Sequence, residues 1–506
     1  MGITSLNFIG FILAVLVLYY ILPAKFRWPF LLICNLAYMC LSGEYYLVIY
    51  PLATVLAAWI CTNRMVQSPD KKRLLYIALA ANIGVLVIFK YLNLGVYTCN
   101  AFAQIFGGKE SLLEPLRFAA PVGLSFYTMS VLSYIFDVYY EICEPEKNYF
   151  KLLMYGSYFP LLVSGPIVRY KDMSQKLFAG KGFDYKNLTY GAQRVLFGFF
   201  KVLVISERLS VVVAAVFEDH ASYPGIYILL GITGFALQLY TNFSGSMDII
   251  MGLSEALGIE LPENFRQPFF SETVQEFWQR WHITLGGWLK DYVLYPILRT
   301  QTFMALPGKW KEKCGKKKAK QYTTFIAMAI LWLISGLWHG GAWKYIWGTG
   351  MLQCLYIIIG ETGSPLFTKI RETLHINEKS FGHRIFRKIR TFLLISVGFT
   401  FFNAGSLREG FDILYCMLRP STFCYKLSDE LAGLGLDYKE WAILLFSLLL
   451  LWLAELAQTK KALRERLADM PIVLRWILLY AGVYYVVIFG SYGPGYSAAQ
   501  FIYQGF

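Results

Sequence analysis

The feature that most constrains the fold of this chain is a succession of strongly apolar stretches that runs from one end to the other. A helix needs roughly 20 mostly apolar residues to cross a bilayer. The apolar stretches, some of them short enough to be re-entrant or paired, lie at residues 8–22, 31–49, 52–61, 74–89, 122–139, 196–217, 227–239, 324–338, 346–359, 392–402, 441–456 and 476–488. We therefore predict an all-α integral membrane protein with roughly 11 transmembrane helices.

Charge and composition also favour a membrane protein. Of the 506 residues, 57% are hydrophobic and 16% are charged, whereas a soluble domain is about a quarter charged. Basic cytoplasmic loops that face anionic lipid explain the net charge of +14. Because no basic face is interleaved with aromatic residues, we expect membrane lipids, and no nucleic acid, among the partners.

The basic segments predict the topology. The strongest lie at residues 71–73, 309–320, 383–390 and 460–475, and we place these loops in the cytoplasm. The last apolar stretch then runs outward, so the uncharged tail from residue 490 to 506 is expected on the outer side. The sequence thus predicts a multi-pass protein of the cell membrane.

Two segments, residues 171–190 and 258–298, are too polar to span simply. We expect re-entrant or interfacial helices there, and such segments are candidate walls of a site because non-helical backbone at membrane depth must be buried in protein or line a cavity. No soluble domain or repeat is visible, so residues 1–506 are predicted to form a single polytopic domain.

The second of these segments carries both aromatic and ionisable residues. Phe277, Trp278, Trp281 and Trp288 are amphipathic aromatics, and His282 lies among them. From composition alone an interfacial helix with an aromatic belt is the favoured interpretation, ahead of a functional site.

His339 stands out for a different reason. It ends an uncharged apolar run and is followed by Gly340 and Gly341. Ionisable groups within spans are rare and usually functional, so a functional role is favoured over a histidine that merely bonds a neighbouring carbonyl. The glycines would let backbone or a substrate approach closely.

Other chemistries lack their motifs. The nine cysteines are scattered without a CxxC pair or a metal spacing, and two histidines do not make a structural zinc site. There is no GxSxG elbow, P-loop or dinucleotide fingerprint. We expect no bound metal and no permanently bound cofactor.

Several motifs together carry a family resemblance. They are PVGLSFYTMSVLSYIFDVYY from Pro121, FPLLVSGPIVRY from Phe159, LQLYTNFSGSMDIIMG from Leu237, PENFRQPF from Pro262, EFWQRWHITLGGWLKDY from Glu276, GLWHG from Gly336 and the ending GSYGPGYSAAQFIYQGF. In this combination the chain resembles the membrane-bound O-acyltransferases (MBOAT), in the branch of alginate O-acetylation and teichoic-acid D-alanylation membrane proteins.

The resemblance implies the site and the fold. It implies a central tunnel, an MBOAT core at about 115–360, and C-terminal helices with an acceptor-like tail at 390–506. His339 matches the family's near-invariant histidine and His282 its second polar catalytic position. Residues expected to shape the site are Trp281, Arg280, Trp338, Asn242 and Asp248, with Asn242 standing where alginate-type members usually have Asp.

The resemblance also implies a route for the acyl group. A thioester donor, acetyl-CoA or an acyl carrier protein, would arrive from the cytoplasm, and His339 would act as general base on an acceptor hydroxyl. The FxYxxF ending resembles an acyl-carrying tail, which makes Tyr503 a candidate acceptor beside its plainer interpretation as an interface anchor. Expected partners are an extracytoplasmic SGNH-type acyltransferase and polysaccharide synthesis machinery.

Three alternatives remain open at this stage. The first is transfer of D-alanine to teichoic acids with a carrier protein as donor. The second is a transporter or flippase in which His339 relays protons, although such proteins usually show repeated halves. The third is a membrane scaffold without chemistry. The favoured prediction is O-acetylation of a cell-surface polysaccharide.

Overall fold

The described residues are mainly helical, and no β-strand is found among them. A computed structural model describes residues 1–106, 113–116, 119–419 and 431–492. In these ranges the only extended pairing is one isolated antiparallel bridge between Phe265 and Trp281. The predicted all-α fold is confirmed.

The α-helices are α1 (Leu6–Ile21), α2 (Ala24–Ser42), α3 (Ile49–Met65), α4 (Lys71–Lys90), α5 (Leu92–Ile105), α6 (Leu124–Tyr139), α7 (Tyr149–Ser157), α8 (Phe159–Ser164), α9 (Tyr170–Phe178), α10 (Tyr185–Phe199), α11 (Glu207–Glu218), α12 (Gly225–Ala256), α13 (Val274–Arg280), α14 (Ile283–Leu289), α15 (Tyr295–Leu298), α16 (Gln301–His339), α17 (Trp343–Tyr345), α18 (Leu352–Thr362), α19 (Ser364–Thr373), α20 (Phe381–Asn403), α21 (Leu407–Met417), α22 (Tyr438–Gln458), α23 (Leu463–Asp469) and α24 (Ile472–Phe489). Short 3₁₀ turns lie at Tyr45–Val48, Pro268–Phe270 and Leu431–Leu434, and π-helical stretches at Phe200–Ser206, Lys290–Leu294 and Ile346–Met351.

Six helical stretches in the described residues are long and apolar enough to cross a membrane by themselves. They are Tyr45–Met65, Lys71–Lys90, Gly225–Ala256, Gln301–His339, Tyr438–Gln458 and Ile472–Phe489. The apolar helix Leu6–Ile21 is shorter. Other predicted spans coincide with shorter or interrupted helices, such as α10 and α11, which the π-helical stretch Phe200–Ser206 joins.

Three basic segments predicted as loops are helical, and that prediction was wrong. Residues 71–73 begin α4, residues 309–320 lie in α16 and residues 383–390 lie in α20. Lys and Arg are good helix formers, so a spanning helix continues into water when its solvated turns are basic. Within α16, Gly315 has φ 80° and kinks the helix, which leaves a continuous apolar stretch ending at His339.

As predicted, the two polar segments do not form simple membrane-spanning helices. Residues 171–190 and 258–298 contain only short helices or the first turns of α10. The seven residues of α13 or α14 rise only about 10 Å, far less than the hydrocarbon core. Neither segment therefore crosses a bilayer as a regular helix.

The helices pack as two compact units, each built from separated parts of the chain. Unit 1 comprises Met1–Glu207, Tyr240–Pro262 and, as far as it is described, Ile443–Phe506. Unit 2 comprises Arg208–Leu239 and Glu263–Ala442, apart from its undescribed residues. The predicted division into a core at 115–360 and a C-terminal part at 390–506 stays a prediction.

Inside unit 1, charged side chains are buried as ion pairs between helices. Asp248 on α12 accepts hydrogen bonds from Arg194 Nε at 2.9 Å and from Lys201 Nζ at 2.7 Å. The Lys201 side chain is 6% exposed. Close approach of the two helices supports these contacts, since a Cβ on Gly198 would lie 2.6 Å from the carbonyl oxygen of Gly245. Small residues at such crossings are typical of membrane helices.

Removing the buried carboxylate should destabilise the protein strongly. In an Asp248→Asn variant, Lys201 and Arg194 lose their buried counter-charge, which costs about 3–5 kcal/mol in comparable sites. We expect a large fall in the midpoint of thermal unfolding in detergent, followed by tryptophan fluorescence. The matched control is Glu141→Gln, which breaks the exposed pair with Lys71 and should leave the midpoint unchanged. Equal midpoints for the two variants would contradict the prediction.

Candidate active site

His339 occupies the last turn of α16 and is buried in unit 2, with 4% of its surface exposed. Its ring lies edge-on to Trp338, with centroids 5.0 Å apart, and edge-on to Phe402 of α20 at 5.7 Å. The histidine is thus held between aromatic rings from two helices. That environment shields the ring from water.

The glycines around His339 are required by close packing. A Cβ on Gly336 would lie 2.8 Å from Ile346 Cα, and one on Gly340 would lie 2.3 Å from the ring of Tyr345. The chain therefore turns back tightly after His339 and lays the π-helical stretch Ile346–Met351 along α16. The sequence predicted that Gly340 and Gly341 allow close approach, and at Gly340 the approaching group is the ring of Tyr345.

His282 is held in an unusual backbone conformation immediately before α14. It has φ 47° and ψ 51°, the left-handed region that few residues other than glycine adopt. The flanking chain fixes it there. Arg266 N–H donates to the carbonyl of Arg280 at 2.9 Å, and Ile283 N–H donates to that of Asn264 at 3.0 Å. Backbone strain of this kind persists only where surrounding contacts determine it, and it clusters at functional sites.

The side chain of His282 contacts one residue that the sequence analysis did not single out. Its Nδ1 lies 3.2 Å from Nδ2 and 3.3 Å from Oδ1 of Asn264, which is buried. Asn264 Oδ1 also accepts hydrogen bonds from the backbone N–H and the hydroxyl of Thr284, at 3.0 and 2.9 Å. Asn264 belongs to the PENFRQPF motif, but nothing in its spacing from His282 indicates this contact.

The two histidines meet on one indole ring. The centroid of Trp338 lies 5.5 Å from that of His282 and 5.0 Å from that of His339. Both imidazoles are almost fully buried in unit 2. The structure thus gathers His282, Trp338 and His339 into one cluster, which we call the histidine cluster.

Other predicted aromatic residues form part of the core. Phe277 and Trp281 are buried, with stacked rings 5.4 Å apart, and Trp288 is buried as well. The interpretation of this segment as an interfacial aromatic belt was wrong for these three rings, because they pack inside the protein. Arg280 is partly exposed and forms an ion pair with Glu276 at 2.6 Å.

The remaining predicted residues lie elsewhere. Asn242 and Asp248 belong to α12 in unit 1, where both are enclosed by protein and Asp248 holds the ion pairs described above. Tyr503 lies outside the described residues. Within the ranges that the structure describes, no group of three or more His, Cys, Asp or Glu side chains is arranged to hold a metal ion.

Sequence comparisons identify the family. Residues 145–306 match the sequence profile of MBOAT, the membrane-bound O-acyltransferase family. Over these residues the chain is similar to that family. The match includes His282 and ends before His339. A family of integral membrane acyltransferases agrees with the apolar helices, so the protein is a multi-pass membrane acyltransferase, and the transporter and scaffold alternatives are set aside.

Three relatives match between 44% and 77% of this chain. A "probable alginate O-acetylase" of Pseudomonas syringae pv. tomato is 29% identical over 77% of this chain and 70% of its own length. The peptidoglycan O-acetyltransferase of Helicobacter pylori is 26% identical over 71% of this chain and 67% of its own. The teichoic acid D-alanyltransferase of Bacillus subtilis is 28% identical over 44% of this chain and 55% of its own.

His282 should make the stability of this protein depend on pH. Burial lowers the pKa of His282 from 6.5 to about 3. Between those values the unfolded chain binds a proton that the folded protein does not, so stability is complete above pH 6.5 and falls as the pH is lowered. At pH 5 the loss is about 2 kcal/mol.

The measurement compares unfolding at pH 7.5 and pH 5 in detergent. An His282→Asn variant, whose side chain tolerates the left-handed backbone, should lose about 2 kcal/mol less than the original protein on acidification. The control His375→Asn alters an exposed histidine that also has positive φ and should retain the original pH response. An unchanged response in His282→Asn would contradict the predicted protonation.

Proposed function

We propose that this protein transfers an acetyl group from a cytoplasmic thioester to a hydroxyl acceptor, for O-acetylation of a cell-surface polysaccharide. The observation that carries the proposal is the pair of buried imidazoles on Trp338 in a chain of the MBOAT family. Relatives that share most of the chain are named for O-acetylation of alginate and of peptidoglycan, which favours acetyl as the acyl group.

The geometry of α16 supports transfer across the membrane. The lysines between residues 309 and 320 are all exposed, and we assign them to the cytoplasmic side. From Lys320 to His339 the helix rises about 28 Å, close to the thickness of the hydrocarbon core. His339 then lies toward the outer side, where an acceptor would receive the acyl group. The lysines would attract an anionic donor, either coenzyme A or an acyl carrier protein.

The chemistry requires one base and one hydrogen-bond donor. His339 accepts the proton of the acceptor hydroxyl while the hydroxyl oxygen forms a bond to the carbonyl carbon of the thioester. The carbon–sulfur bond then breaks, and the proton passes from His339 to the departing thiolate. His282 orients the thioester or stabilises the negative charge on the carbonyl oxygen in the tetrahedral intermediate. The dry aromatic surroundings of both rings strengthen these interactions.

Loss of the base should abolish most transfer without loss of the fold. For His339→Asn we expect the rate of acetyl transfer to fall by about 10²–10⁴, measured as labelled acetate incorporated into surface polymer and normalised to the amount of inserted protein. The same substitution at exposed His375 is the control and should leave transfer intact. A stably inserted His339→Asn variant with full transfer would refute the base role.

We further propose that Tyr503 is the acceptor, forming a tyrosyl ester that a separate extracytoplasmic SGNH-type acyltransferase then passes to the polymer synthesis machinery. The uncharged C-terminal tail, which we assign to the outer side, has the composition needed to enter an apolar tunnel. A phenol with a pKa near 10 is largely protonated at neutral pH, so it needs a base such as His339.

Acyl labelling followed by mass spectrometry tests this role. The ester should map to Tyr503, and it should disappear together with polymer acetylation in Tyr503→Phe. Tyr496→Phe, in the same tail, is the matched control and should retain both signals. Continued polymer acetylation by the Tyr503→Phe variant would refute the acceptor role of Tyr503, but it would not affect the proposed base role of His339.

A second candidate function is D-alanyl transfer to teichoic acids. The similarity to the teichoic acid D-alanyltransferase of Bacillus subtilis favours it. That match covers a smaller share of this chain than the match to the alginate O-acetylase does. Mass analysis of the released acyl group distinguishes the two functions.

A further inference from the structure

The orientation of the Asn264 side chain can be assigned without ambiguity. An amide oxygen and nitrogen look alike, but the groups around them do not. The backbone N–H of Thr284 can only donate, and it lies 3.0 Å from Oδ1 of Asn264. A flipped amide would set two N–H groups against each other, so the oxygen must face Thr284.

This orientation determines which atom of the Asn264 amide forms a hydrogen bond with His282. Its oxygen has two lone pairs, and the N–H and the hydroxyl of Thr284 occupy both, at 3.0 and 2.9 Å. The amide nitrogen of Asn264 lies 3.2 Å from His282 Nδ1 and has protons to donate. Nδ1 therefore accepts a hydrogen bond, and in a neutral imidazole the ring proton must then be on Nε2.

We infer that Asn264 is a positioning residue that holds His282 in the Nε2–H tautomer, so that His282 serves the acyl transfer as a hydrogen-bond donor and not as a base. The inference rests on the proposed function and assigns the second histidine's part in it. His282 donates from Nε2 toward the oxygen on which negative charge develops and keeps its proton throughout, while His339 carries the transferred proton. The two buried imidazoles thus have different roles, set by different surroundings.

The surrounding structure supports this reading of the contact. Asn264, His282 and Thr284 are all buried, so water does not compete for their hydrogen bonds. The backbone contact from Ile283 N–H to the carbonyl of Asn264, at 3.0 Å, ties the two segments together. The left-handed backbone at His282 then fixes the direction of its side chain. Asn264 thus tethers the segment that carries His282 and bonds its ring, while the backbone conformation and Trp338 help to place the ring.

The tautomer can be observed directly and independently of activity. The chain has five histidines, so ¹⁵N-histidine labelling gives few signals in solid-state NMR, and the His282→Asn spectrum identifies those of His282. We expect an unprotonated Nδ1 and a protonated Nε2 at neutral pH. A protonated Nδ1 in the original protein would overturn the inference while leaving the proposed base role of His339 untouched.

A substitution tests the consequence for catalysis. In Asn264→Asp the carboxylate can only accept a hydrogen bond, so it favours the tautomer that carries the ring proton on Nδ1 and leaves Nε2 unprotonated. Loss of one such donor costs about 10²–10³ in kcat, and we expect that loss with little change in KM, together with the reversed ¹⁵N signature. The control Asn148→Asp makes the same change at the exposed N-cap of α7, where Asp is equally suited, and should retain activity.

The possible results distinguish a failure of the donor role of His282 from a failure of the proposed acyl-transfer function. Full activity in a folded Asn264→Asp protein with the reversed tautomer would overturn the donor role of His282. Full activity in His339→Asn would instead refute the proposed function, whatever the tautomer of His282. If Asn264→Asp does not fold, the NMR signature of the original protein still decides the tautomer that the structure assigns.

Discussion

A polar group that is removed from water inside a bilayer must form its hydrogen bonds or ion pairs with other groups of the protein. This requirement shapes the packing of both units. In unit 1 it is met by ion pairs, since Asp248 takes hydrogen bonds from Arg194 and Lys201 in the packed interior. In unit 2 it is met by neutral groups, with Asn264 between Thr284 and His282. The first arrangement holds helices together, and the second holds a reactive side chain in one orientation.

The same demand shapes the chemistry of the histidine cluster. His282 and His339 pack on one indole ring, in surroundings made of aromatic side chains. In a neutral imidazole the two ring nitrogens differ in role, since one donates and the other accepts a hydrogen bond. The groups next to each ring determine which of its nitrogens carries the proton and donates. For His282 that group is the side-chain amide of Asn264.

The sequence predicted parts of this site for identifiable reasons. His339 was found from its residues alone, because an ionisable group at the end of an apolar run is rare. His282 needed the family resemblance, since its surroundings looked interfacial, and Asn264 was missed because its contact is made by chain folding and not by helical spacing. The aromatic rings of Phe277 and Trp281 were misjudged, since composition does not reveal whether a ring faces lipid headgroups or the protein core.

By itself the sequence determined that this chain is an all-α protein of the membrane, because long apolar stretches leave a backbone no other way to satisfy its hydrogen bonds. It also carries motifs, spread along most of its length, that resemble those of the membrane-bound O-acyltransferases. Only the tertiary structure decided which ionisable residues meet. Packing on Trp338 joins two histidines from separate segments, and a strained backbone conformation at His282, held by Asn264 and its neighbours, sets the direction of one of them.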